Sequence, residues 1–297
     1  MRYVIAGSSG FLGTALRARL ARDGHDVTRL VRRPAGSASE SSWDPYAGAV
    51  DADLIASADV VVNLAGVSLA HWPWTEDYRR KILDSRLSTT GTLATAIAAA
   101  PKPPAFIVAS GVARYGTDRG NEILTEDSSD GHGFLPDVVR QWEAAADPAR
   151  AAGGRVCHLR TGVVIHRGGG ALKFMRPPFW LGIGGRVGSG AQYFPIISLP
   201  DWLSVVVFLA EHPDCVGPYN LVSPVPTTNL EFTRALASAL HRPAIMRAPA
   251  VAMRTALGEV ADELVGSRRI LPQRLITAGF KHEHHEVDAI VDNGLHR

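Results

Sequence analysis

The sequence predicts an α/β fold, a doubly wound parallel sheet followed by a smaller α+β lobe. Three observations predict it. Short apolar runs rich in valine and isoleucine alternate with helical stretches up to about residue 165. A glycine-punctuated turn separates the first run from the first helix. Near Arg167 the alternation gives way to a glycine- and proline-rich stretch.

Residues 2–6 form the first apolar run, and Gly7-Ser-Ser-Gly10-Phe-Leu-Gly13 breaks it. Alanine and leucine at helical spacing then predict a helix over 14–22, ended by Gly24. A second strand over 26–31 terminates in Arg32-Arg33-Pro34. The set fits within about 30 residues, the size of a βαβ unit. Residues 59–63 read as a buried strand, 74–100 as a long helix stopped by Pro101, and 105–109 as the next strand, ending at Ser110-Gly111. A helix over 134–152 and a strand over 155–159 follow. Beyond the glycine-rich stretch the pattern predicts helices over 201–210 and 231–240, then a helix, a loop, a short strand near 279–282 and a last helix. The division expected is a dinucleotide-binding domain over 1–165 and 191–222, with the smaller substrate lobe over 166–190 and 223–297.

Composition narrows the function classes. At 297 residues with 46% hydrophobic and 20% charged residues, the chain can build a sizeable core, and global disorder is excluded. A net charge of +2, from 31 basic and 29 acidic residues, gives no nucleic-acid surface. Cys157 and Cys215 cannot frame a secreted disulfide scaffold, so a reducing cytoplasm is the expected compartment. Structured sequence begins almost at Met1, so no signal peptide is expected, and no apolar run is long enough to span a membrane.

Gly7-x-x-Gly10-x-x-Gly13 carries the chemistry of the N-terminus. In a strand–turn–helix context, the first glycine permits the tight turn and the second admits a pyrophosphate to the backbone. The third lets helix pack on strand. The helix start adds free N–H donors and partial positive charge. At the end of the second strand an acid would select the ribose 2′-OH of NAD, whereas arginine accommodates the 2′-phosphate of NADP. Arg32 and Arg33 stand there with no acid beside them in sequence, so NADP is expected.

The runs Gly7 to Gly13, Asn63-Leu-Ala-Gly66, Ser110 to Gly116 and Arg160-Thr-Gly-Val-Val164 resemble the extended short-chain dehydrogenase/reductase superfamily. Trp43-Asp-Pro45, Ser85-Arg86, Trp142-Glu-Ala-Ala145 and Gly188-Ser-Gly190-x-Gln192-x-Phe-Pro195 narrow it. With Asn220-Leu-Val-Ser-Pro224 and Ile270-Leu-Pro-Gln-Arg-Leu275, they resemble its atypical epimerase-like family over essentially the whole chain. The resemblance implies a Rossmann domain that binds NADP and a small C-terminal substrate lobe. It also implies a cofactor site that includes Gly7, Ser9, Gly10, Phe11, Leu12, Gly13, Arg32, Asn63, Leu64, Ala65, Lys81 and Ser85. Arg86 is a weaker candidate for the same site, because a helical arginine is more often a surface or structural residue. Family members usually carry a Trp-Ile-His-like run after the Phe-Pro. This chain has Ile196-Ile-Ser198, with Asp201 still at the acidic position that follows.

The superfamily's usual Tyr-x-x-x-Lys dyad is absent. Four residues after Tyr3, Tyr46, Tyr78, Tyr115, Tyr193 and Tyr219 stand Gly7, Val50, Ile82, Arg119, Ile197 and Ser223. The remaining catalytic candidates are Ser110, at the end of the strand where the superfamily keeps a hydroxyl for the reacting oxygen, and Tyr115 on the following loop. Counting back from Tyr115-Gly116 would place Gly111 rather than Ser110 at that position. For Tyr115 a packed loop aromatic is the level alternative. Glu126 and Asp127 read as solvated or capping loop acids. His282, His284 and His285 read as alternation on a short edge strand, so no metal site is expected. Trp72, Trp74, Phe174, Phe179 and Trp180 are open between a substrate wall and core packing.

The expected protein is an NADP-binding, epimerase-like oxidoreductase acting on a small molecule. It would be cytoplasmic, bind neither nucleic acid nor membrane, and be able to form a homodimer. A catalytically silent NADP sensor or scaffold is the rival, and the missing dyad supports it.

Overall fold

The computed structural model describes residues 1–296, apart from the side chains at 252, 254, 256, 257, 259 and 260. Seven strands form the main sheet: β1 (Arg2–Ala6), β2 (Asp26–Val31), β3 (Glu40–Ser42), β4 (Val60–Asn63), β5 (Ala105–Gly111), β6 (Val156–Thr161) and β7 (Gly217–Leu221). Their order is β7-β6-β5-β4-β1-β2-β3. β1 pairs in parallel with β2, Tyr3 opposite Val27, and with β4, Val4 opposite Val61. β2 continues in parallel to β3, Arg29 opposite Glu40, and β4 to β5, Asn63 opposite Val108. The sequence expectation of a parallel, helix-covered sheet is met. The order reverses at β1 and β4, the point where such sheets open a crevice beyond their carboxyl ends.

Four helices matter for the site: α1 (Phe11–Arg22), α2 (Ala52–Ser57), α3 (Glu76–Ala99) and α4 (Phe134–Ala144). Gly10 opens α1 without a side-chain cap, three residues earlier than the leucine–alanine spacing suggested. Thr75 opens α3 by accepting the Tyr78 N–H, with Glu76 and Asp77 placed to favour the helix dipole. The helix expected over 134–152 is two, α4 and Asp147–Ala151, because Pro148 starts a new first turn. β3 and α2 were not expected. Residues 279–286 form a loop rather than a strand. That loop is held by Asp201, whose carboxylate accepts the backbone N–H groups of Glu283 and His284 at 2.6 and 3.0 Å.

The chain divides into two compact units, 1–110 with 137–159 and 206–218, and 111–136 with 160–205 and 219–297. Residues 111–136, 160–165, 191–205 and 219–222 thus group with the C-terminal lobe and not, as expected, with the N-terminal domain. In the first unit Val4, Val61, Leu93, Ile97, Phe106, Val108 and Trp142 fill the core under the sheet. In the second, Ile165, Phe194, Ile196, Phe232, Leu236, Ile290 and Val291 form a separate core. A smaller cluster of Val112, Tyr115, Leu124, Val222 and Ile270 explains why the loop after β5 belongs to the second unit. The glycine- and proline-rich stretch hides a helix, Leu172–Trp180, with Pro177 and Pro178 inside it.

Candidate dinucleotide site

A cavity of about 540 Å³ lies over the carboxyl ends of β1, β2 and β4 in the first unit. Residues 7–10, 29–33 and 64–67 line it, with Trp43, Tyr46, Ser85 and Thr89. Its floor is the glycine turn. Gly7 has φ +76°, and a Cβ there would lie 2.5 Å from the Leu64 carbonyl carbon. A Cβ on Gly13 would lie 2.2 Å from the Gly7 carbonyl oxygen, so helix and turn touch through bare backbone. Gly10 differs, since its nearest such contact is 3.5 Å away. Its bareness leaves room above the start of α1, the end of a helix at which the dipole is positive. This is the cradle a pyrophosphate needs, and the residues present fit a dinucleotide.

The second wall is the loop after β4. Asn63 is fully buried, and its amide donates to Thr89 and Thr90 Oγ1 at 3.3 and 3.0 Å while its Oδ1 accepts the Ala65 N–H at 3.0 Å. Ser85 Oγ accepts the Val67 N–H at 3.2 Å. These two side chains pin the loop to α3 and set the shape of the wall.

At the far end stand the β2 arginines. Arg33 makes paired hydrogen bonds to Glu40, Nη1 to Oε2 at 2.9 Å and Nη2 to Oε1 at 2.7 Å. Arg29 also bonds Glu40 Oε1, and the Gly36 N–H donates to Oε2 at 2.8 Å. Arg33, and after it the Gly36 amide, hold the Glu40 carboxyl down to about 2. Arg32 is exposed at the cavity rim and makes no ion pair among the described residues.

Of the residues expected at the cofactor, Gly7, Ser9, Gly10, Arg32, Leu64, Ala65 and Ser85 line the cavity. Gly13 and Asn63 shape it from behind, Phe11 and Leu12 are half-buried in the first turn of α1, and Lys81 is exposed on α3 without lining it. The reading missed Trp43 and Tyr46. Only the Trp43-Asp-Pro45 segment could have pointed to them.

The two catalytic candidates differ. Ser110 is buried at the end of β5, and its Oγ donates to Glu143 Oε1 at 2.7 Å from α4. Tyr115 is fully buried in the second unit, and its hydroxyl donates to Asn220 Oδ1 at 2.7 Å and accepts from Arg160 Nη1 at 3.0 Å. Burial raises its pKa above the ordinary phenol value. Neither residue lines the cavity. Glu126 is no solvated loop acid, because it is 5% exposed and accepts the backbone N–H groups of Asn220 and Arg274 at 2.9 and 3.2 Å. Burial pushes its carboxyl up. Asp127 is exposed and pairs with Arg274 at 2.6 Å. His282 and His285 bond backbone carbonyls, and His284 faces Ser198 and Asp201. Among the described residues no group of three His, Cys, Asp or Glu side chains could hold a metal. Phe179 belongs to the second unit's core, whereas Trp72, Phe174 and Trp180 are exposed.

A parallel sheet, a glycine turn feeding a helix and a cavity over both define an NAD(P)-binding Rossmann protein of the short-chain dehydrogenase/reductase class. The chain belongs to the epimerase family: residues 3–134 match the NAD-dependent epimerase/dehydratase family, and 248–293 match a domain of unknown function, DUF1731. It is 42% identical to the epimerase family protein ML0860 of Mycobacterium leprae, over 95% of this chain and 92% of that one. Identity to the human epimerase family protein SDR39U1 is 37%, over 97% and 98%. The crystal structure of human SDR39U1 (isoform 2) with NADPH superimposes with a TM-score of 0.90 at 34% identity, covering 99% of each chain. A nucleoside-diphosphate sugar epimerase from Corynebacterium glutamicum gives 0.83 at 32% identity, covering 99% of this chain and 58% of that one.

Proposed function

We propose that this protein binds NADP(H) in the first unit's cavity and is an oxidoreductase of the epimerase family acting on a small molecule. One observation carries the cofactor choice. The acid beside the arginines at the end of β2, Glu40, is consumed by Arg29 and Arg33, so it is not offered to a ribose hydroxyl, while Arg32 at the rim has no ion pair among the described residues. The NADPH in the human relative's structure supports the same choice.

The chain's own groups divide the work. The turn over residues 7–10 and the start of α1 hold the pyrophosphate, and Arg32 meets the 2′-phosphate. The bound cofactor supplies hydride transfer at its nicotinamide. Ser110 spends its proton on Glu143, which leaves its oxygen lone pairs free to accept a hydrogen bond from a substrate hydroxyl. A proton could then pass by way of Ser110 Oγ to the Glu143 carboxylate. Tyr115, whose hydroxyl is already shared by Asn220 and Arg160, is the weaker proton donor of the two candidates. That engagement, together with the absent dyad, is also what favours the rival reading of a silent NADP-binding protein.

Cytoplasmic placement fits two unpaired, buried thiols. No helix among the described residues is long and apolar enough to cross a membrane. A homodimer is compatible with the chain, and light scattering would reveal it.

The test is a pair of titrations, NADPH and NADH, on wild type and Arg32→Glu at fixed salt. A charge-assisted contact worth ~1.5–3 kcal/mol predicts roughly a tenfold to hundredfold preference for NADPH. Arg32→Glu should remove most of it. Equal binding of both cofactors by wild type would sink the NADP assignment. NADPH turnover over a panel of carbonyl compounds, abolished by Ser110→Ala, would decide for the oxidoreductase over the silent binder.

A further inference from the structure

The helix Leu172–Trp180 shows solvent a face that the second unit does not cover. Leu172 and Phe179 belong to the core of that unit. Phe174 and Trp180 are instead 64% and 60% exposed, and Leu181 and Ile183 in the turn that follows are 72% and 59% exposed. Strand residues 185–187 then pair in parallel with 246–248, which brings the exposed Ile245 and Met246 up beside that turn. Single exposed hydrophobic residues are ordinary, but bulky ones in one place mark an interaction surface.

Cations frame this patch. Arg167, Lys173, Arg176 and Trp180 converge on a cavity of about 200 Å³. None of the three cations makes an ion pair among the described residues. The sequence holds no acidic residue from 148 to 200 or from 232 to 258, so the net charge of +2 hides a strong local asymmetry. A second copy docked face to face would bring like charges together, which argues against a self-interface. The complement of this face is an apolar surface that carries anionic groups.

The backbone of the turn can leave water. Pro177 and Pro178 have no N–H, and the N–H groups of Leu181, Gly182 and Ile183 donate to the carbonyls of Pro177, Phe179 and Pro178 at 3.1, 2.9 and 3.0 Å. The Trp180 carbonyl accepts from Arg242 Nε at 3.2 Å. A turn whose donors are satisfied internally can enter an apolar phase without stranding a polar group. A protein partner makes no such demand, so the feature favours lipid.

We propose that the helix Leu172–Trp180 and the turn after it dock this protein on an anionic bilayer surface. Trp180, Leu181 and Ile183 enter the boundary between headgroups and acyl chains, while Arg167, Lys173 and Arg176 meet lipid phosphates. The long basic side chains keep their charged heads in the headgroup layer and lay their stems along the apolar side. This departs from the expectation of no membrane contact. That no described helix can cross a membrane bears on spanning and not on a contact of this kind.

Flotation of the full chain with vesicles is the test, comparing equimolar phosphatidylglycerol and phosphatidylcholine with phosphatidylcholine alone. Binding to the anionic vesicles is expected, with little to the neutral ones, and rising salt should weaken it. Leu181→Ser combined with Ile183→Ser should abolish it. Lys173→Gln combined with Arg176→Gln should weaken it on the order of tenfold. Both apolar positions are exposed, so the melt of the first double variant should match wild type and separate lost binding from lost fold. Should that variant fail to fold, Leu181→Ser alone decides. The proposal is overturned if anionic vesicles leave the protein behind, if neutral ones float it equally, or if the serine variant floats as wild type does. Binding to soluble polyglutamate as tight as to vesicles would also overturn it, in favour of an acidic protein partner. A dimer seen by light scattering that the serine variant dissolves would give the face to a second copy and overturn it likewise.

Discussion

Arg33 and Glu40 form a two-pronged ion pair across the β2–β3 edge, and the pair decides which of two adjacent arginines is left for a ligand. The fork satisfies both carboxylate oxygens at 2.7 and 2.9 Å, with Arg29 as a second cation on Oε1. In the sequence Arg32 and Arg33 stand side by side as candidates for the 2′-phosphate. The structure separates them: the charge of Arg33 is already spent on an acid seven residues on.

Glu40 should make stability pH-dependent in a defined window. Its folded pKa is depressed to about 2, chiefly by Arg33, against an ordinary value near 4.5. A depressed carboxylate contributes stability that is fully present above the ordinary value and is lost as pH falls towards 2. Thermal melts of wild type should therefore decline more steeply between pH 4.5 and 2 than those of Glu40→Gln. Parallel pH profiles would show that the pair contributes nothing measurable. At neutral pH the same variant frees Arg29 and Arg33, both in the cavity wall, and should raise NADPH affinity relative to NADH at low salt.

Tyr115→Phe should separate structure from catalysis. The change strands the Asn220 amide oxygen and removes an acceptor from Arg160 inside a fully buried cluster. A cost of about 1–3 kcal/mol in denaturant unfolding is expected, with NADPH affinity unchanged. Loss of NADPH affinity without loss of stability would return Tyr115 to the cofactor site.

What the sequence disclosed follows the range of each interaction. Gly7 and Gly13 were legible because part of their reason is local: a left-handed φ at Gly7, and the contact of Gly13 with the Gly7 backbone within one βαβ unit. Arg32 was legible from its place at a strand end. Glu40 was not, because β3 is three residues of Glu-Ser-Ser with no apolar alternation, and only pairing with β2 makes it a strand. Tyr115 depends on Asn220, 105 positions away, and Arg160, 45 away, so no window could separate a proton donor from a packed aromatic. The tail over 279–286 misled for the opposite reason. Its Phe280 and His282 alternate like a strand, yet the backbone N–H groups that follow go to one distant carboxylate, Asp201.

The two thiols should be inert in the folded protein. Cys157 is fully buried in β6, and burial pushes its pKa up to about 12. Cys215 is buried as well. A thiol reagent such as Ellman's should find no reactive group in native protein and two after denaturation. Rapid native reaction at either position would mean that this edge of the sheet opens on the timescale of the assay.

Gly10 and Gly13 should respond oppositely to the same added methyl group. At Gly13 the Cβ would lie 2.2 Å from the Gly7 oxygen and 2.8 Å from the Ser8 α-carbon. Both are backbone atoms, so relief requires α1 to move off the turn. Overpacking of this kind costs about 1–3 kcal/mol, and the displaced turn should lose the dinucleotide too. At Gly10 the methyl meets nothing closer than 3.5 Å, and the backbone, at φ −73°, suits any residue. Gly10→Ala should thus fold with near wild-type stability. Its methyl, however, would fill the space above the start of α1 that a pyrophosphate needs. Gly13→Ala should therefore lower both the melting temperature and NADPH affinity, and Gly10→Ala only the affinity. Melts without ligand and fluorescence titrations with it measure the two effects separately. If Gly10→Ala bound NADPH as wild type does, the pyrophosphate would have to lie elsewhere, and the cradle assigned to this turn would be wrong.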